Sequence, residues 1–187
     1  MYKRQILLIA DDYGVDMAQL YNDPAADLPP TPNLNALMDD GVLFENAWTN
    51  PICSPTRAAM LTGRYGFRTG IGNTVSNTGT PGLPYAEFVL PEAISAGSPF
   101  THTHANVGKW HLGTSALGGR FHPTDTGYDH FSGLLSGGLS DYYDWTKVKG
   151  TTSTPVTTYA TTDTVNDAIE WLDTQHEQDK PLSLIHI

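Results

Sequence analysis

The chain has 187 residues, 39% of them hydrophobic and 10% aromatic, enough to build a core for one domain or a large piece of one, and at 16% charged it is not a disordered polyelectrolyte. Its formal net charge of −10 excludes a nucleic-acid partner, because phosphate-backbone binders cluster Lys and Arg, but leaves room for a small anionic substrate held in a local pocket. One cysteine, Cys53, excludes an internal disulfide.

The first element is a strand. RQILLIADDYG (4–14) carries a short continuous apolar run that ends in two acids, as a buried parallel strand does. That run is too short to span a bilayer or serve as a full signal h-region, so no membrane span and no signal peptide are expected in this chain. TPNLNALMDD (31–40) reads as a helix with Leu34, Leu37 and Met38 at helical spacing, stopped at Asp40-Gly41, and VLFENAW (42–48) reads as a strand. In SPTRAAMLTG (54–63), Ser54 is placed to cap a helix, Pro55 to take its first position and Gly63 to end it. Residues 69–84 read as a long surface loop and YAEFVLPEAISAG (85–97) as a helix. FTHTHANVGKWHLG (100–113) reads as a strand entering a turn at Gly108, and 113–157 as mostly loop. TTDTVNDAIEWLDTQHEQ (161–178) is the clearest helix, with Val165, Ala168, Ile169 and Leu172 on one face and Asp163 placed to cap it. KPLSLIHI (180–187) reads as a further strand. Its last six residues, 182–187, also match the translation of a transposon-end adapter used in sequencing libraries, so both origins stand. Strands alternating with helices give an α/β fold with a mainly parallel sheet and helices on both faces.

Two features bear on chemistry. Asp11 and Asp12 follow the first strand, and in parallel α/β sheets ligands gather beyond the C-terminal strand ends. Adjacent carboxylates there suit a hard divalent cation, or cap a turn. Cys53 sits in NPICSPTRAAMLTGR (50–64), a setting too polar for an ordinary core thiol. Arg57 and a helix start would favour its thiolate, yet no histidine near it in sequence supplies a base.

CSPTRAAMLTGR (53–64) resembles the sulfatase signature, Cys-x-Pro-x-Arg followed by Leu-Thr-Gly-Arg. ILLIADDYG upstream and VGKWHLG downstream stand in that family's order and at similar separations, and the resemblance runs from about Ile6 to Trp171. It implies an alkaline-phosphatase/sulfatase-like fold, here truncated: residues 1–187 as a partial N-terminal catalytic domain, with the C-terminal half and subdomain missing. It implies hydrolysis of a sulfate ester, with Cys53 oxidised to formylglycine by a formylglycine-generating enzyme that reads the Cys-x-Pro-x-Arg core. Asp11 and Asp12 match aspartates that bind the family's calcium, for which magnesium could substitute, and Cys53 matches both nucleophile and metal ligand. Arg57 matches the arginine that steadies the formylglycine hydrate, Lys109 a sulfate-binding lysine and His111 a histidine beside the formylglycine. One hydroxyl of such a hydrate attacks sulfur and the other expels sulfate, which a serine could not do. Cationic groups would offset the charge shifting in the transition state.

The implied partner is a sulfated small molecule or glycan, and the implied location periplasmic or secreted. Relatives acting on phosphonate monoesters or phosphodiesters share the signature, and a non-catalytic binding protein on the same scaffold would keep Cys53 unmodified. His102 and His104 share one strand face and could bind metal, or be plain strand histidines. His122 lies in a loop that could border a substrate cleft. Tyr142, Tyr143 and Trp145 could wall a sugar or aryl group, or anchor a loop.

Overall fold

A computed structural model describes residues 4–23, 26–178 and 180–186. The chain divides into two compact units, residues 1–9 with 51–187, and residues 10–50.

The larger unit is built on a six-stranded sheet: β1 (Arg4–Leu8), β2 (Thr103–Lys109), β3 (His130–Leu134), β4 (Trp145–Lys149), β5 (Thr152–Val156) and β6 (Leu182–His186). The order is β1-β6-β2-β3-β4-β5. β1, β6, β2 and β3 run parallel, while β4 and β5 are antiparallel. Its helices are α2 (Cys53–Thr62), α3 (Gly66–Thr69), α4 (Leu90–Gly97), α5 (His122–Asp125) and α6 (Ala160–Glu177).

Strand side chains alternate between two cores, as the period of two demands. Phe131 and Ile185 face Ala58 and Leu61 of α2 together with Trp110, Leu112, Val89 and Leu83. Ala105, Val107, Leu182 and Leu184 face Ala168 and Trp171 of α6. Helices therefore cover both faces, as the mainly parallel α/β expectation required. The helix face that α6 buries is Ala160, Thr164, Asp167, Ala168, Trp171 and Gln175. Val165 and Ile169, expected to face inward, are 38% and 51% exposed. Asp163 does not cap α6; it accepts from Lys147 Nζ at 2.6 Å. Asp167 takes both Lys147 and Lys149, plus the Ser132 hydroxyl, tying α6 to β3 and β4.

Other expectations shift. Residues 113–157 hold three strands rather than mostly loop. β4 and β5 form a hairpin in which Lys149 pairs with Thr152 across Gly150 at φ 60, and Pro155 is accommodated on the sheet edge. Only 90–97 of the 85–97 segment is helical. The 69–84 stretch is irregular and mostly exposed, as expected of a surface loop, while Ile71, Val75 and Leu83 are buried and anchor it to the core. The 100–113 strand passes Gly108 and ends at Lys109. β1 is exposed along its length, on the open edge of the sheet, and is not the buried strand its apolar run suggests.

In the smaller unit, α1 (Pro32–Asp39) follows two short 3-10 turns, Val15–Met17 and Gln19–Tyr21. The Asn22 side-chain amide donates to the Val15 and Ala18 carbonyls at 2.7 and 2.8 Å. The Tyr21 hydroxyl donates to the Phe44 carbonyl at 3.0 Å. Residues 42–48 form no strand: Val42, Phe44 and Trp48 are exposed there.

Candidate active site

α2 begins at Cys53 itself. Ile52 is its N-cap in extended conformation, and Gly63 ends it with a left-handed φ of 66 that a glycine adopts without strain. Pro55 therefore sits at the third helical position, not the first. Ser54 is inside the helix, where its hydroxyl is committed elsewhere: it donates to the His111 carbonyl at 2.9 Å and accepts from the Val75 amide at 3.0 Å. Without a side-chain cap, the first amides of α2 face the Cys53 end, where partial positive charge favours an anion.

β2 delivers the opposing residues. Lys109 is its last residue, and Trp110 and His111 continue alongside β3, their backbone N–H groups donating hydrogen bonds to the Leu134 and Leu135 carbonyls at 2.8 and 3.1 Å. Arg57, 4% exposed, donates from Nη1 to the Lys109 carbonyl, so the guanidinium fastens α2 to the end of β2. His111 turns the chain back with φ 55, a left-handed conformation uncommon for a residue with a side chain. Its ring reaches Cys53: Nδ1 lies 3.2 Å from Sγ, across 58 positions of sequence. Nε2 lies 3.1 Å from the Val75 carbonyl. A carbonyl only accepts, so Nε2 carries the proton, and in the neutral ring Nδ1 accepts from the Cys53 thiol. The histidine missing from the neighbourhood of Cys53 in sequence is thus supplied by the fold.

The ring is closely backed on one side. A Cβ on Gly137 would stand 2.4 Å from His111 Cε1, so the 136–138 turn lies directly against the imidazole. Sequence reasoning does not single out Gly137, Val75 or Ser54 as site residues; the glycine-rich SGG at 136–138 is the one hint.

The structure puts Cys53 against His111 and ties Arg57 to the Lys109 backbone carbonyl, while Asp11 and Asp12 belong to the smaller unit, where both are exposed and Asp12 has φ 54. Their carboxylates are the hard oxygen donors that calcium or magnesium takes. Calcium, however, needs about six to eight oxygens, and among the described residues no group of three or more His, Cys, Asp or Glu side chains is placed to hold a metal. The pair fits a cation in kind and supplies only part of its shell.

The remaining candidates have structural partners. His122 is fully buried, not at a cleft border: Trp110 Nε1 donates to its Nδ1 at 3.0 Å, and its Nε2 donates to the Leu83 carbonyl at 2.8 Å. Burial pushes its imidazole below the usual range, against the pull of the Leu83 carbonyl and Asp125. His104 is 3% exposed and its Nε2 meets the Ser95 hydroxyl at 2.8 Å; burial lowers it too, although Asp129 pulls the other way. His102 bonds the Phe100 carbonyl. Trp145 is buried and bonded to the Thr158 carbonyl, whereas Tyr142 and Tyr143 are exposed and meet the Tyr159 ring at 6.0 and 5.2 Å.

Comparison with known proteins gives this arrangement a family. A family model described as Sulfatase matches residues 4–187. N-acetylgalactosamine-6-sulfatase of Rattus norvegicus is 38% identical over 137 residues, 68% of this chain and 24% of that protein. Arylsulfatase H of Canis lupus familiaris is 32% identical over 170 residues, 81% of this chain and 29% of that protein. Among solved structures, Ps i-CgsB superposes with a TM-score of 0.84 at 25% identity, over 100% of this chain and 45% of that one. A protein solved with its substrate D-glucosamine-2-N,6-O-disulfate gives 0.76 at 25% identity, over 100% and 34%. The chain therefore spans about a quarter of the length of these curated relatives and less than half of these solved structures. The chain belongs to the Sulfatase family.

Proposed function

We propose that the protein hydrolyses sulfate esters of sugars, with Cys53 matured to formylglycine as the nucleophile. One observation carries the reading: in a chain of the Sulfatase family, the cysteine at the first residue of a helix meets His111 Nδ1 at 3.2 Å. A formylglycine hydrate supplies two hydroxyls on one carbon, so that sulfate can be both accepted and released. His111 offers a ring nitrogen with a lone pair to a hydroxyl at position 53 and can hold its proton. Arg57 keeps positive charge beside the helix start while fixing the end of β2. Lys109 is the candidate sulfate ligand, which would add a compact cation to the site. Asp11 and Asp12 are the proposed contribution to a calcium site, or magnesium in its place, with further ligands from beyond this span. The relatives named for an N-acetylgalactosamine 6-sulfate and solved with a sulfated glucosamine point to a sulfated hexosamine or related glycan. No helix among the described residues is long and apolar enough to cross a membrane. A periplasmic or secreted address, and maturation by a formylglycine-generating enzyme, belong to the same proposal.

We further infer that residues 1–187 are the N-terminal part of a catalytic domain, so this chain alone binds calcium weakly and shows no useful turnover. The test has two parts. Mass spectrometry of the Cys53 peptide, from a host with the maturing enzyme, is expected to show loss of the sulfur with two hydrogens and gain of one oxygen. A longer protein containing this span is then assayed on paired aryl sulfate and aryl phosphate esters. Faster sulfate hydrolysis supports the reading. An unconverted Cys53, or preference for the phosphorus ester, overturns it.

A further inference from the structure

Ser54, Val75 and His111 close a ring of hydrogen bonds drawn from three separate segments. The Ser54 hydroxyl donates to the His111 carbonyl and accepts from the Val75 amide. The Val75 carbonyl in turn accepts from His111 Nε2. The hydroxyl is fully buried, so both of its bonds are made out of water. The ring of bonds also holds a strained residue. A left-handed, non-glycine backbone such as that of His111 persists only where its surroundings over-determine it. Here the amide is held by Leu135, the carbonyl by Ser54, the ring tip by Val75, and the ring edge abuts Gly137.

We propose that Ser54 is a positioning residue: by anchoring both Val75 and the His111 backbone, it fixes His111 in the Nε2–H tautomer with its Nδ1 lone pair aimed at position 53. The two imidazole nitrogens are chemically distinct, and the partner of one sets the state of the other. Val75 makes no contact with position 53 through this network, yet its carbonyl decides what position 53 meets. With the other tautomer, or a flipped ring, position 53 would face an N–H or C–H and lose its acceptor. The second signature residue thus has a task separate from the nucleophile it follows. The catalytic consequence rests on the hydrolase reading above; the tautomer does not.

Nitrogen-15 NMR of the ring, in this chain with Cys53 unmodified, reads the tautomer directly. The expected spectrum has His111 with a protonated Nε2 and a bare Nδ1. Ser54→Ala is expected to mix the tautomers and Ser54→Thr, which keeps the hydroxyl, to restore the single form. A wild-type ring protonated at Nδ1 overturns the proposal whether or not the variants fold, and so does a Ser54→Ala ring indistinguishable from wild type. In the longer, matured protein, with rates normalised to the converted fraction of Cys53, Ser54→Ala is expected to lower kcat by roughly 10- to 100-fold with KM changed by less than about twofold. An unchanged kcat overturns the positioning role. A wild-type protein without turnover counts against the hydrolase reading instead and leaves the ring spectrum to decide the proposal.

Discussion

Replacing His122 with phenylalanine removes a strut under the candidate site and changes the pH response in a calculable direction. The imidazole lies between Trp110 Nε1 and the Leu83 carbonyl, at 3.0 and 2.8 Å, and all three residues are 1% exposed or less. Phenylalanine keeps the ring shape but leaves a buried donor and a buried acceptor without partners. At about 1–3 kcal/mol for each orphaned group, the loss sums to about 2–6 kcal/mol. Burial holds the imidazole below its ordinary pKa, so the unfolded chain takes up the proton first as pH falls. The stability from the neutral ring is complete above about pH 6.5 and is lost as pH drops toward the folded-state value, by up to about 1.4 kcal/mol per pH unit. His122→Phe removes that contribution, so the variant is weaker at about pH 8 but loses less on acidification. His104 and His130, also lowered chiefly by burial, keep part of the slope in both proteins. Urea unfolding followed by circular dichroism from about pH 8 to pH 5 measures both effects. A variant as stable as wild type at about pH 8, or one with an equally steep acid decline, would refute the strut and its neutral state.

Gly137→Ala is expected to push the His111 ring off Cys53, because its Cβ would stand 2.4 and 2.6 Å from two ring atoms; kcat of the longer, matured protein should fall by up to about 100-fold. Crystallography of the variant should show the ring displaced, and an unmoved ring contradicts the tight seat. Asp167→Asn tests the link between α6 and the sheet. Burial alone would raise this carboxyl, but bonds from Lys147, Ser132 and Lys149 more than offset that and hold it below the usual range. Its stabilisation is present above about pH 4 and is lost as pH falls further. The variant should therefore be weaker by about 2–4 kcal/mol near neutrality and closer to wild type in strong acid, as denaturant midpoints would report. Calorimetric titration of the chain as it stands with calcium should give weak or no binding; a tight site would contradict the partial ligand set.

The sequence is most legible where local chemistry and tertiary demand agree. The α6 helix can be read almost to the residue because its polar and apolar positions keep a helical period. Its buried face is harder to read because Asp167 and Thr164 face inward on lysine and backbone partners, and hydropathy scores them as surface. The β3 strand, HFSGL, escapes notice because its buried Ser132 and Gly133 carry no apolar signal. The β4–β5 hairpin is hidden although Gly150 marks its two-residue turn; Thr, Ser and Pro around it outweigh that cue. At the site, a short motif exposes Cys53 and Arg57, and the second motif exposes Lys109 and His111. The Cys53–His111 contact and its Ser54 support depend on α2 and the end of β2 meeting across 58 positions, which no local spacing encodes.

The strand order has a consequence for biogenesis. Among the described strands, β6 lies between β1 and β2, although β1 and β6 stand at opposite ends of this sequence. During synthesis, the pairing of β1 with β6 waits until residues 182–186 emerge from the ribosome. Such distant pairing gives high contact order, slows folding and leaves an apolar ribbon open to chaperones or to aggregation. Ribosome stalling shortly before residue 182 should therefore yield a chaperone-bound, protease-sensitive amino terminus, and release should protect it.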